Sequence, residues 1–449
     1  VTLVTSTPFD AIVIGGGLAG ATTAIRLAEN GWNILVLEKT LFPRNKVCGE
    51  FLSPAVWSLF EALGITQKIL AQKGSRVHKA SFIWQEGRQV EIDLPFTSQA
   101  HPYGYGLSRK SLDKLLLTEA QERGCLVREN QEVRQIKRME QRFVISAFDF
   151  EKKQHVEYET LRVINTAGKF NRWYHESPSS SHHAEEKRIG FKAHFEGPSL
   201  NQKVQLVFFK GGYLGLIEIE NNQCNLCGTV NTDRMRPLAF DFDKLLDEIA
   251  GQNAVFRDWY QNAKRKTVWL SCGPQTHQFY HGYQEGVFYA GDAACSLEPF
   301  LGQGMLMAVA GGFFLASLLS ENSTHDQEMN ALGKNYEESL KKLYRSKIRF
   351  GKFLNFVLGD RPGKHLFRRD YFFRPIFLRY AARKVCEIPG KVFLNGFKPA
   401  SAKTFKGYRN GYRNTWHADD ESQSQRLTVP EPVEIPPSVS PLSFRQEEV

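Results

Sequence analysis

The sequence predicts an α/β plus β protein with a helical C-terminal region, and three observations carry that expectation. A strand, glycine loop, helix, strand and acid follow one another over residues 9–38, β-rich segments fill the middle of the chain, and a basic, Phe-rich stretch begins at Lys341. With 449 residues, 42% of them apolar and 12% aromatic, the chain can bury a sizeable core and form more than one domain. It is not a small binding module.

Residues 9–14 read as a short buried strand running into Gly15-Gly16-Gly17-Leu18-Ala19-Gly20, a GxGxxG that opens a helix rich in Ala21, Ala24 and Ala28. Gly15 allows the tight turn, Gly17 lets a pyrophosphate approach the backbone, and Gly20 lets helix and strand pack closely, while the helix N-terminus offers free amides. Asn30-Gly31 stops the helix, residues 33–37 form a second strand, and Glu38, followed by Lys39, stands where ribose hydroxyls are expected. The acid disfavours a 2′-phosphate, and so NADP, at this site.

Downstream, residues 286–290 look like a strand leading into Gly291-Asp292-Ala293-Ala294 and then Glu298-Pro299-Phe300-Leu301-Gly302-Gln303-Gly304, with a helix from Met305. Between these signals, Gly106-Leu107-Ser108-Arg109 opens an amphipathic helix with Leu112, Leu115, Leu116 and Ala120 on one face and Gly124 as its stop. A strand over residues 161–168 ends in Asn165-Thr166-Ala167-Gly168, and Pro43-Arg44-Asn45-Lys46-Val47-Cys48-Gly49-Glu50 follows the first acid closely.

These motifs together resemble the glutathione-reductase-type FAD proteins, over roughly residues 8–320. The specific likeness is to the branch that holds aromatic hydroxylases (p-hydroxybenzoate hydroxylase-like), flavin halogenases and geranylgeranyl reductases. The resemblance implies a Rossmann-type FAD-binding domain in which Asp292 bonds the ribityl chain and the loop at 299–304 passes beside the isoalloxazine ring, where glycines leave room for a flat ring. It makes Arg109 a flavin contact and puts Ala167 and Gly168 in a loop closing over FAD. The 43–50 stretch resembles the Pro-x-x-Lys-x-Cys-Gly region of the geranylgeranyl reductases, with Lys46 toward phosphate or ring edge and Cys48 near flavin or substrate. The candidate cofactor contacts are therefore Gly15, Gly17, Leu18, Ala19, Gly20, Glu38, Lys39, Lys46, Cys48, Arg109, Ala167, Gly168, Gly291, Asp292, Pro299, Gly302, Gly304 and Met305. Cys48 is also the one catalytic candidate, against the alternative of a small packed hydrophobe.

Departures from the branch matter as much. Hydroxylases carry Asp-Gly where this chain has Ala167-Gly168. None of the seven tryptophans forms the Trp-x-Trp of halogenases, and Tyr213-Leu214-Gly215-Leu216-Ile217 keeps only the tyrosine of the prenyl reductases' Tyr-x-Trp-x-Phe-Pro.

The middle of the chain reads as a largely antiparallel sheet: a hairpin over 77–94 around Glu86-Gly87, then strands at 189–195, 204–209, 213–219 and 226–230. Such a sheet suits a pocket for an apolar substrate. Cys224 and Cys227 make a CxxC, but no second pair or nearby histidine completes a metal site, so no metal is expected.

The seven scattered cysteines suggest reduced thiols, and the longest apolar run, 305–319, is short for a membrane span. A cytoplasmic protein is expected. From Lys341 to Arg413 twenty Lys/Arg face three acids, and Phe350, Phe353, Phe356, Phe367, Phe372, Phe373 and Phe377 are interleaved with them. Helices packed on the pocket with Lys/Arg outward, or peripheral contact with an anionic membrane, both fit; a nucleic-acid partner is not expected. Residues 417–449, polar and Pro-rich, are expected to be disordered.

The expected division is an FAD-binding domain in three parts (8–75, 101–180, 281–325), a substrate-sheet hairpin at 76–100, a substrate domain at 181–280, and a basic helical region at 326–416. The first functional expectation is an FAD-dependent oxidoreductase passing hydride to a carbon–carbon double bond of a hydrophobic or lipid-like molecule. The alternatives are a monooxygenase using NAD(P)H and O2, and a flavin-binding protein without turnover.

Overall fold

The computed structural model describes residues 2–3, 8–84, 87–95, 98–140, 142–168, 188–273, 277–321 and 326–358. The chain opens on β1 (Ala11–Ile14), α1 (Leu18–Glu29) and β2 (Ile34–Leu37). It then leaves for an antiparallel pair, β3 (Lys79–Ile83) and β4 (Gln89–Asp93), and returns as α2 (Arg109–Glu122) and β5 (Leu126–Arg128). After a meander over 131–160 it comes back as β6 (Val163–Asn165). A second departure makes β7 (Arg188–Glu196), β8 (Lys203–Phe209), β9 (Gly212–Glu218), β10 (Gln223–Asn231), α3 (Phe242–Gln252) and α4 (Ala254–Tyr260). The last return is β11 (Val287–Tyr289), α5 (Gly304–Glu321) and α6 (Asp326–Leu358).

Two large sheets result. In the first, β11, β6, β1, β2 and β5 lie in that order and parallel, with Tyr283–Gln284 antiparallel at one edge. Its strands β1 and β2, with sequences AIVI and ILVL, are buried at every position, as strands covered on both faces must be. In the second, the order is Lys264–Arg265, β7, β10, β9, β8, β3, β4, with Leu270–Cys272 also paired to β7. Every contact in it is antiparallel except β8 with β3. The strands at 189–195, 204–209 and 213–219 are thus found close to their expected bounds, and the one at 226–230 extends back to Gln223. The hairpin turn at Glu86 lies outside the described residues.

The faces of the second sheet differ. One, with Phe191, Val207, Leu214, Leu216 and Leu226, is covered by Leu245, Leu246, Ile249 and Trp259 of α3 and α4. The other carries Phe82, Ile217, Leu206 and Phe208 and meets Phe51 and Phe300, which belong to the loops beside the first sheet. That second face positions the site.

α5 is apolar enough to cross a membrane, with a mean hydropathy of 1.5 over 18 residues, but 67% of it is buried in the protein. It is a core helix: Thr23 of α1 donates to the Gly312 carbonyl at 3.3 Å, and a Cβ at Gly312 would fall 2.4 Å from the Ala19 carbonyl oxygen. On α2 the buried apolar residues are Leu112, Leu116, Leu117 and Ala120, and Leu115, expected on the inner face, is half-buried. Of the basic C-terminal region, α6 falls in the described part, with Tyr336, Leu340, Leu343, Tyr344 and Lys347 buried; residues 359–449 lie outside it.

Candidate functional site

The Gly15–Gly20 loop is held by contacts that leave no room for side chains on one side. Gly15 has φ +102°, and a Cβ there would lie 2.8 Å from the Thr166 carbonyl oxygen; one at Gly20 would lie 1.9 Å from the Gly15 carbonyl oxygen. Thr166 Oγ1 closes the turn by donating toward the carbonyls of Ile14 (2.9 Å) and Gly15 (2.8 Å). On the other side there is space. A Cβ at Gly17 would meet only Arg109, at 3.8 Å. Gly17 caps α1 without a side-chain hydrogen bond, so the first-turn amides at Leu18, Ala19 and Gly20 remain without an intrahelical acceptor, as at any helix start.

Glu38 is buried and braces this loop: Oε2 accepts from the Gly16 amide at 2.8 Å and Oε1 from the Thr40 amide at 3.0 Å and hydroxyl at 2.7 Å. Lys39 beside it is exposed. Ala167 donates its amide to Asn165 Oδ1 at 3.1 Å, and Gly168 has φ +82°. Gly291, at φ +63°, approaches α1 so closely that its Cβ would lie 2.8 Å from Ala19 Cβ, which brings half-buried Asp292 to the loop.

Arg109 is buried at the start of α2 and gripped by Asp113, one helical turn on, through Nε at 2.6 Å and Nη2 at 2.8 Å. Such a bidentate fork fixes the guanidinium plane. Burial works against the Arg109 charge, but Asp113 and, after it, Cys48 outweigh it and raise the group further. Lys46 sits in the same neighbourhood: burial and the Arg109 charge push its ammonium down, against Asp292 and Asp113. Arg44 adds a third cation, 3.6 Å from Asp113. Lys46, Cys48, Arg109 and Asp292 are therefore drawn into one cationic pocket wall with the glycine loop.

Glu50 fixes the segment that carries Cys48. It is fully buried, at φ +55°, and accepts from the Arg109 amide at 2.7 Å, from His194 Nε2 at 2.8 Å and from the Lys192 ammonium. Burial alone would push the Glu50 carboxyl up; the His194 hydrogen bond and the Lys192 charge overcome it and hold the group below the usual carboxylate range. Lys192 also donates to the Lys46 carbonyl at 3.2 Å, and Asn225 Nδ2 donates to the Cys48 carbonyl at 3.1 Å. β7 and β10 of the second sheet thus dock the 46–50 loop.

The 299–304 loop completes the enclosure. Pro299 is exposed, Gly302 has φ +61° and would bring a Cβ to 3.2 Å from Phe51, Gly304 has open space around it, and Met305 is buried in the first turn of α5. Above, an aromatic surface spans the sheet: Trp84 stacks on Phe208 (5.7 Å), Phe208 meets Phe300 (5.5 Å), and Phe300 meets Tyr213 edge-on (5.4 Å). Tyr213 is buried, and that burial, with Glu298 nearby, pushes its phenol well above its ordinary value, so it stays neutral.

The donor set fits a flavin dinucleotide. Free helix-start amides and cations suit a pyrophosphate, Glu38 suits ribose hydroxyls, and the room left at Gly17 and Gly304 suits close approach of a flat ring. Sequence reasoning missed Asp113, Lys192, His194 and Asn225, and quoted Glu50 without giving it a role. The Arg109/Asp113 spacing of four was a readable signal; the others are joined to the loop only by tertiary contact. The CxxC is explained by strand geometry: Cys224 packs in the α3/α4 face and Cys227, three positions on, is half-buried on the opposite one.

Residues 8–159 match the family model described as FAD binding domain. The chain is 31% identical over 116 residues to tryptophan 2-halogenase of Chondromyces crocatus, covering 26% of this chain and 22% of that protein. It is 24% identical over 349 residues to digeranylgeranylglycerophospholipid reductase 1 of Methanopyrus kandleri, covering 75% and 87%. The chain spans only 22–28% of the length of the first curated relatives. Among solved structures, CmlS, a flavin-dependent halogenase, matches with a TM-score of 0.67 at 21% identity over 85% of this chain and 73% of that one. At that identity the likeness shows the fold.

Proposed function

From the premise that the chain carries an FAD-binding domain of the FAD-dependent oxidoreductase superfamily, with FAD as its cofactor, we propose that it reduces a carbon–carbon double bond in a hydrophobic molecule. The supporting observation is the aromatic surface of Trp84, Phe208, Phe300 and Tyr213 set against the 299–304 loop. The reductase of Methanopyrus kandleri, matched over most of its length, agrees with it.

In this reading residues 15–20 and Glu38 hold the adenosine diphosphate half of FAD in a glutathione-reductase-like manner, and Arg109, Lys46 and Asp292 hold the middle. The 299–304 loop and the start of α5 face the ring. Bound FAD supplies two-electron redox chemistry. The protein's own part is to orient: Asp113 fixes Arg109, Glu50 fixes the Cys48 segment, and the aromatic surface keeps water from an apolar substrate. Cys48, which interacts with the Arg109 charge, is assigned to the pocket wall.

The test is a single turnover of the dithionite-reduced holoprotein with geranylgeraniol, without oxygen, followed by mass spectrometry. A product heavier by one pair of hydrogens is expected. A product heavier by one oxygen, formed only when air is admitted, would replace this reading with the monooxygenase one.

A further inference from the structure

The inner face of α6 repeats every three or four residues as Gly333, Tyr336, Leu340, Tyr344, Lys347 and Gly351, all buried. The row is seated along its length. A Cβ at Gly333 would fall 2.4 Å from the Tyr283 ring, and the Tyr336 hydroxyl donates to the Tyr289 carbonyl at 2.9 Å. A Cβ at Gly311 of α5 would lie 3.8 Å from the Tyr344 hydroxyl. Lys347 is the charged member of this row.

The row ends on the 299–304 loop. A Cβ at Gly351 would lie 3.1 Å from Glu298 Cβ and 3.4 Å from Leu301 Cδ1, so the helix backbone lies against the beginning of that segment. Lys347, one turn earlier, donates its ammonium to Gln303 Oε1 near the segment's end. Both side chains are buried. Gln303 Nε2 has no hydrogen-bond partner among the described residues, so the bond from Lys347 is what orients this amide. At the other end His277 Nε2 lies 3.4 Å from Glu298 Oε2.

Gln303 is also where α5 begins: it precedes Gly304, and its carbonyl accepts from the Met307 amide at 2.9 Å. The start of a helix is its positive end, and cations are favoured at the opposite one. Here a buried cation reinforces the positive end. An apolar side chain in the same row would fill the space without the cost of taking a charge out of water. Packing alone therefore gives no reason for a lysine at this position.

We propose that Lys347 is a positioning residue for the bound flavin: through Gln303 it holds the end of the 299–304 loop, and its charge, added to the positive end of α5, raises the affinity of FAD for electrons. Two electrons and one proton leave the ring with one net negative charge. A fixed positive potential beside it favours that form, and more so where water is excluded. This rests on the reading in which the loop and the start of α5 face the ring, and it adds what sets the ring's potential. It holds for any substrate that takes the electrons.

The experiment measures the midpoint potential of FAD in the full-length holoprotein, by slow reduction with dithionite beside a reference dye without oxygen. Lys347→Met is expected to move the flavin–dye equilibrium about tenfold toward oxidised flavin, a fall of about 30 mV for two electrons. Gln303→Glu, which keeps an acceptor for Lys347 but sets a negative charge beside it, is expected to move it the same way. Lys347→Arg, which keeps the charge, should stay within about twofold of wild type. A lowered Tm with an unchanged potential in Lys347→Met would make the residue a packing element and overturn the proposal, as would an arginine variant that falls as far as the methionine one. Should Lys347→Met fail to fold or to hold FAD, Gln303→Glu decides, and its unchanged potential overturns the proposal. Wild type that binds no FAD would remove the cofactor reading and this one with it, whereas FAD bound at one potential in every variant removes this one alone.

Discussion

The glycine loop gathers its groups within six consecutive residues, whereas the surface above it takes Phe82, Leu206, Gly215, Cys227 and Lys192 from five strands. In the loop, two of the glycines answer a contact a few residues away or on an adjacent strand: Gly20 against the Gly15 carbonyl, Gly15 against Thr166. In the sheet, what counts is which residues fall in one row, and that is decided by pairing between segments far apart in the chain. The cofactor-binding motif is therefore written locally, and the surface set against it is written in register. The join between them is Glu50, which touches both: the Arg109 amide on one side, Lys192 and His194 on the other.

The comparison breaks most severely at Gly20. Gly20→Val puts a branched side chain where even Cβ would lie 1.9 Å from backbone oxygen, so the variant is expected to lose both flavin and cooperative folding, seen as absent flavin absorbance and a lost thermal transition.

Glu50→Gln attacks the join. It leaves the Lys192 ammonium buried without its carboxylate, a loss of about 3 kcal/mol, read as a lowered Tm. Because the folded carboxyl titrates below its ordinary value of 4.5, its contribution is present above that value and fades as pH falls through the lower folded one. The stability gap between wild type and Glu50→Gln should therefore narrow below about pH 4.5; a gap constant with pH would remove the charge account.

Cys48→Ala sharpens the comparison most gently. The thiol is half-buried and acts on the Arg109 charge, so flavin retention and Tm should hold while turnover falls; full activity would return Cys48 to simple packing.

The strands and helices of the first sheet were legible because their signals are local: apolar runs, a GxGxxG, an acid after the second strand. The Gly124 stop of α2 was equally readable; the Ser108 side chain that caps its start, accepting from the Ser111 amide, was not read. The faces of the second sheet were not. Period-two alternation says which residues share a face but not which face meets the cofactor, and Tyr213 and Leu214 differ in that alone. Lys192 and His194 read as polar positions in a strand; the docking of the 46–50 loop gives their side chains partners. Gly215 read as a missing motif residue, and that it stands between Leu206 and Cys227 appears only from the strand pairing.

The central claim, that FAD occupies the open side of the glycine loop, is tested most directly by titrating FAD into deflavinated protein and following quenching of flavin fluorescence, in wild type and Gly17→Val. The loop has room at Gly17 for a side chain within the protein, so the variant should fold as wild type does. The account predicts saturation at one FAD per chain in wild type and none in the folded variant. Equal FAD binding in both, or no saturable binding in either, would contradict it.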